Sequence, residues 1–167
     1  MDAIISGLAR WLHFFFGVMW IGLLYYFNFV QIPTMPKVPA DQKGGITGHI
    51  APAALWWFRY GALATIILGL GLASQSAAYT MGDALTLGLT SSNMTASIIG
   101  IGMYLGLIMG FNVWFVIWPN QKRVLGIVPA ADDVKAKSAT MGMMASRINL
   151  ILSIPMLYCM VGQAHIG

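Results

Sequence analysis

The residues of this chain that could do chemistry are few, and its histidines come first: His13, His49 and His165. A haem b iron is held axially by imidazole nitrogens, and two histidines can share one porphyrin only if both face it. His13 lies about one turn into the first apolar segment, and His49 lies just before the second, at the opposite side of a membrane. Those two cannot clamp one haem. His13 and His165 fall at the same level and can. His13 and His49 each stand as a separate candidate ligand for a haem or pigment. The plainer readings are a His13 that donates to a backbone carbonyl or sits among headgroups, and a His49 that is an interfacial polar residue.

Asn112 and Asn149 are the amides at depth. Amides inside a membrane usually bond across helices; the alternative is a lining for a small polar substrate or a quinone. Met141, Met143 and Met144 suggest a thioether copper(I) site only weakly, since no His or Cys adjoins them, and packing is preferred. Cys159 is the sole cysteine, which excludes an internal disulfide and a covalent c-type haem. No carboxylate falls inside an apolar segment, which argues against a proton-coupled transporter. Phosphate loops, zinc-type histidine pairs and nucleophile elbows do not occur.

The elements that must position these residues follow from composition. Of 167 residues, 58% are hydrophobic and 8% charged, and the mean hydropathy is +0.75. A soluble domain carries about a quarter charged residues, so the solvent for this surface is lipid. Nine cations against five anions are too sparse for nucleic acid. Four segments reach the length needed to cross a bilayer, at about residues 11–32, 53–73, 96–118 and 141–163 of a single domain. The expected fold is an all-α membrane protein, an antiparallel four-helix transmembrane bundle. The first segment is too long for a signal peptide. Pro33, Pro36 and Pro39 are expected to end the first helix, and Pro119 the third.

Lys37, Lys43, Lys122, Arg123, Lys135 and Lys137 fall on one side and Arg10 on the other. The positive-inside rule puts both termini on the non-cytoplasmic side. Trp56, Trp57 and Tyr60 then form a cytoplasmic aromatic belt, with Arg59 reaching to the headgroups. Gly102, Gly106 and Gly110 make a smooth stripe for close helix packing, within the bundle or against another chain. Phe27-Asn28 before Pro33 is echoed by Phe111-Asn112 before Pro119, as a weak parallel repeat would give.

Several strings resemble the membrane domain of the bacterial urate hydroxylase family, the urate oxidase N-terminal family. They are Arg10-Trp11-x-His13 with Trp20-Ile21-Gly22, and Trp57-Phe58-Arg59-Tyr60. The most specific is Asn112-Val113-Trp114-Phe115-Val116-Ile117 with Pro119-Asn120-Gln121-Lys122; Asn149 to Pro155 also fits. The family-motif positions are thus Trp20, Trp57, Asn112, Trp114, Asn120, Gln121 and Asn149. The resemblance implies a bacterial inner membrane, and in full-length members further helices and a cytochrome c domain. This chain is expected to be a truncated, four-helix form without that cytochrome. Arg147-Ile148 stands where relatives tend to carry a histidine.

Three functions fit. The first is a small accessory or structural subunit of a larger respiratory, photosynthetic or oxygenase complex, with lipid and other membrane chains as partners. The second is a redox protein holding haem b or a quinone. The third is a transporter or channel, which the lack of buried charge disfavours. None makes the chain a urate oxidase by itself.

Overall fold

The computed structural model describes residues 3–163 and 165. Four helices are long and apolar enough to cross a membrane: α1 (Ala3–Lys37), α2 (Lys43–Ala73), α4 (Met94–Val124) and α5 (Asp132–Gly162). A short helix, α3 (Met81–Leu85), lies in the loop between α2 and α4. No strand occurs among the described residues. At about 1.5 Å per residue, a 31-residue span is long enough to cover the hydrocarbon and both headgroup layers, about 40–45 Å. The helices therefore run past the apolar segments.

Pro33 and Pro119 do not end their helices, although α1 does stop at Lys37, between Pro36 and Pro39. Pro33, Pro52 and Pro119 all lie inside continuous spans, each at the start of an α-helical stretch that follows a π-helical one. The π stretches are Tyr26–Gln31, Ile46–Ile50 and Asn112–Ile117. Proline lacks an N–H and its ring collides with the carbonyl four residues back. A wider i→i−5 turn moves that carbonyl out of the way. The Asn-to-Pro echo of α1 and α4 thus belongs to a device that α2 shares. The chain leaves the helix only at Val38, whose backbone is extended (ψ 130).

Contacts between neighbouring spans run in opposite senses. His13 and Trp20 of α1 meet Thr65 and Gly61 of α2. Tyr60 and Ile66 of α2 meet Trp114 and Gly110 of α4. Gly102 and Asn112 of α4 meet Cys159 and Asn149 of α5. Tyr25 and Asn28 of α1 meet Ser153 and Ser146 of α5. The bundle is an antiparallel ring in the order α1, α2, α4, α5, with α1 diagonal to α4.

The core is built from stripes at helical spacing. Trp20, Leu24 and Phe27 face Leu55, Phe58 and Ala62, and Met109, Val113 and Ile117 close it with Ala145 and Met156. Large apolar residues also face outward, as lipid permits: Phe14 is 69% exposed and Phe115 67%.

The loop after α2 is a folded cap. Thr80 and Asp83 form a reciprocal capping box on α3. Gly88 takes a left-handed backbone (φ +68), where a Cβ would strike the Asn93 carbonyl. Asn93 caps α4, accepting from the Ala96 N–H at 3.1 Å, and donates to the Ala78 carbonyl at 2.9 Å. Gly100 of α4 lies directly against the Ala84 carbonyl.

The glycine stripe packs inside the bundle, against two different helices. A Cβ on Gly102 would lie 2.9 Å from the Cys159 Cβ, and one on Gly110 would meet Ile66. Gly106 is buried, yet a Cβ there would find no neighbour within 4 Å.

Candidate functional site

One face of α5 is polar and small: Ser138, Gly142, Ser146, Asn149 and Ser153 are all buried. Their spacing of three or four keeps them on one stripe. Asn112 Nδ2 donates to Asn149 Oδ1 at 2.9 Å, and Asn149 Nδ2 donates to the Met109 carbonyl at 3.0 Å. Asn28 Nδ2 donates to Ser146 Oγ and to the Leu24 carbonyl, both at 2.9 Å. Ser153 gives its one proton to the Leu150 carbonyl at 2.7 Å, so Tyr25 is the donor in their 3.1 Å contact. The seam therefore joins α1, α4 and α5 through matched donors and acceptors. Asn112 and Asn149 were legible as interhelical amides. Ser146 and Ser153 were missed, although their spacing from Asn149 signals one face.

Arg59 differs from its expected place. It is 9% exposed, because Leu55, Arg59 and Ala62 share the inward stripe of α2 while Trp56, Trp57 and Tyr60 face outward. Its Nε donates to the Leu55 carbonyl at 3.2 Å. Its Cζ sits 3.3 Å from the Trp118 ring centroid, 5.7 Å from that of Trp114 and 5.6 Å from that of Tyr60. Aromatic faces attract a desolvated cation by about 2 kcal/mol or more, which lessens the cost of leaving water.

The other motif residues surround these two features. Trp114 packs edge-on against Tyr60 at 5.6 Å, and its Nε1 is buried without a partner, as is that of Trp20. Asn120 donates to the Val116 carbonyl at 2.8 Å and accepts from Arg123 at 3.4 Å. Gln121 Nε2 lies against Gly142 of α5. Trp57 is exposed beside Trp56, their centroids 4.8 Å apart.

His13 and His49 are not brought together as a pair. His13 Nδ1 donates to the Thr65 carbonyl at 2.8 Å, and its ring fills the space left by Gly69. That bond requires a proton on Nδ1, so the lone pair of the corresponding tautomer is on Nε2. His49 is exposed and lies twenty residues before Gly69 on the same helix, about 30 Å away at the usual rise. A haem clamped between His13 and His49 does not fit. His165 is exposed, at the end of the chain where α5 stops. Among the described residues no group of three His, Cys, Asp or Glu is placed to hold a metal ion.

Fold and site together define a helical bundle of membrane-spanning length, locked by an amide and hydroxyl seam, with one arginine enclosed by aromatic rings. The urate oxidase N-terminal family model matches residues 84–166, which takes in α4, α5 and both asparagines. Over that stretch the chain belongs to the urate oxidase N-terminal family. No curated protein and no solved structure matches it.

Proposed function

We propose that this chain is an accessory or structural subunit of a larger membrane assembly and acts through its outer surface. The carrying observation is a contrast. The deep polar groups of α5 are bonded to partners on α1 and α4, and Asn149 and Ser153 are both 0% exposed. Aromatic pairs face out instead: Trp11 stacked on Phe15 at 5.6 Å on α1, and Phe111 tilted against Phe115 at 4.8 Å on α4. Between membrane helices, association relies on van der Waals packing and not on hydrophobicity, and flat outward rings supply it. Purification in mild detergent, followed by identification of co-migrating chains and imaging of the native particle, tests the reading. A lone monomer ringed only by lipid overturns it.

A second reading rests on His13. With Nδ1 held by the Thr65 carbonyl, Nε2 has the tautomer that a single axial ligand needs, and a bound haem b would supply one-electron chemistry. His13→Leu tests this through the visible spectrum of the purified protein. A wild-type preparation without a haem band removes the reading. Neither reading makes the chain oxidise urate unaided, so membranes with this chain as their only added component are expected to leave urate unconsumed.

A further inference from the structure

Trp118 carries two cations. The Arg59 guanidinium carbon lies 3.3 Å from its ring centroid and Lys122 Nζ lies 5.7 Å away. Arg123 follows in the chain and leans on Asn120. Among the described residues, the ion pairs are Lys135 with Asp132 and Lys137 with Asp133; none involves Arg59, Lys122 or Arg123. Arg59 and Lys122 therefore share one ring near the end of α4, where Arg123 is the next residue, and none of the three is in an ion pair among the described residues. Ring faces offset part of their repulsion, but an anion would offset far more. The cluster sits at the level of the exposed Trp56, Trp57 and Tyr60, the kind of aromatic belt that marks a headgroup boundary.

An apolar groove adjoins the cluster. It has a volume of about 370 Å³ and is lined by Phe16, Trp56, Tyr60, Leu63 and Ile67 among others. Tyr60 belongs to both features, since the Arg59 Cζ lies 5.6 Å from its ring centroid. From Trp56 to Ile67 the groove follows α2 for about 17 Å, comparable with one leaflet of a core about 30 Å thick.

We propose that Arg59, Lys122 and Arg123 bind the phosphate of an anionic phospholipid whose acyl chain lies in the groove beside Tyr60. Basic pockets between spans that open at a headgroup layer take lipid phosphates in this way. A zwitterionic lipid presents a phosphate beside its own cation and is disfavoured by three positive charges. Free phosphate lacks the chain that would fill the groove.

The test is native mass spectrometry of the full chain in mild detergent, with equimolar phosphatidylglycerol and phosphatidylcholine. With basic residues beside the phosphate, phosphatidylglycerol should be preferred by at least about tenfold. The double variant Lys122→Gln/Arg123→Gln, at a helix end with little to unpack, should cut that preference severalfold and keep the wild-type melting temperature in phosphatidylcholine micelles. Arg59→Lys, which keeps the charge but loses the flat stacking face, should lower it as well. Equal binding of the two lipids overturns the proposal. So does a double variant that keeps the full preference, or inorganic phosphate that displaces phosphatidylglycerol at equal concentration, which would show a site for a free anion.

Discussion

Asn112 of α4 donates to Asn149 of α5 at 2.9 Å, and Asn149 passes the bond on to the Met109 carbonyl at 3.0 Å. The relay sits where α4 changes from α to π winding at Asn112. That change shifts the backbone bonding register, and the Asn149 amide supplies a donor to a carbonyl at the junction. The asparagine pair thus serves both the contact between spans and the wider turn ahead of Pro119.

Removing Asn149 should therefore cost more than an average membrane hydrogen bond. Asn149→Leu breaks two bonds and leaves the Asn112 amide unpaired, at a cost of about 1–3 kcal/mol, where typical interhelical bonds in lipid average about 0.6. Asn112→Ala should cost less, because the Asn149 to Met109 bond survives. The double variant should fall short of the sum, since the two residues share one bond. Reversible unfolding in mixed micelles measures all three, and strict additivity would reject the relay.

The glycines of α4 should separate by what they touch. Gly100→Ala drives a methyl into the Ala84 carbonyl, and Gly102→Ala crowds Cys159. Overpacking of this kind costs about 1–3 kcal/mol. Gly106→Ala meets nothing within 4 Å and should be neutral, or stabilising by up to about 1 kcal/mol through helix propensity. Melting temperatures of the three variants decide it. A Gly106→Ala protein less stable than Gly100→Ala would contradict the packing.

The contrast shows how far the sequence could be read. Spacing alone put Gly102, Gly106 and Gly110 on one stripe, and the all-helical fold followed from apolar runs of bilayer length. What each glycine faces depends on crossing geometry, which no spacing encodes. Pro33 and Pro119 were read as stops because a lost N–H is a local fact; the π turns that let the helix continue through them and Pro52 are a cooperative adjustment of the whole turn. Arg59 was read as a free charge reaching out of the bundle, yet its offset from Leu55 and Ala62 already put it on the inward stripe, under aromatic rings at the belt's level. The enclosing rings of Trp114 and Trp118 come from 55 and 59 residues further along the chain, beyond the reach of local pattern.

The cap over α4 should loosen in acid. Hydrogen bonds from the Thr80 hydroxyl, then Ser91, then the Thr80 backbone hold the Asp83 carboxyl below the usual carboxylate range. Its folded pKa is thus lower than its unfolded one. Its contribution is present above the unfolded pKa and is lost as pH falls through the folded value. Protection of the Thr80 and Asp83 amides, taken relative to the intrinsic exchange rate at each pH, should fall below about pH 4, while Asp83→Asn should flatten the profile. Protection factors unchanged across that range in the wild-type protein would count against the capping box.

The termini are expected to share the non-cytoplasmic side. Lys37, Lys43, Lys122, Arg123, Lys135 and Lys137 lie at one end of the bundle and Arg10 at the other. Short cationic loops stay in the cytoplasm during insertion. Reporter fusions after Gly167 and between Val38 and Gln42 should read oppositely, with the loop inside. A cytoplasmic C-terminal reporter would reverse the assignment.

The last prediction concerns the surfaces through which an assembly would form. In the ring of spans α1 stands diagonal to α4, so the Trp11–Phe15 and Phe111–Phe115 pairs lie at opposite corners of the bundle. Trp11, Phe111 and Phe115 are 58%, 58% and 67% exposed, so truncating them removes little from the core. A variant such as Phe111→Ala/Phe115→Ala should therefore melt within about 0.5 kcal/mol of wild type. If a partner helix lies on that corner, the same variant loses dispersion contacts of both rings, and hot-spot aromatics cost about 2 kcal/mol or more. Co-purification of the partner should then fall by tenfold or more, while Trp11→Ala/Phe15→Ala reports on the other corner. The two variants together distinguish a chain held on one side from one wedged between neighbours. Undiminished co-purification with both corners truncated would show that neither aromatic pair is an interface.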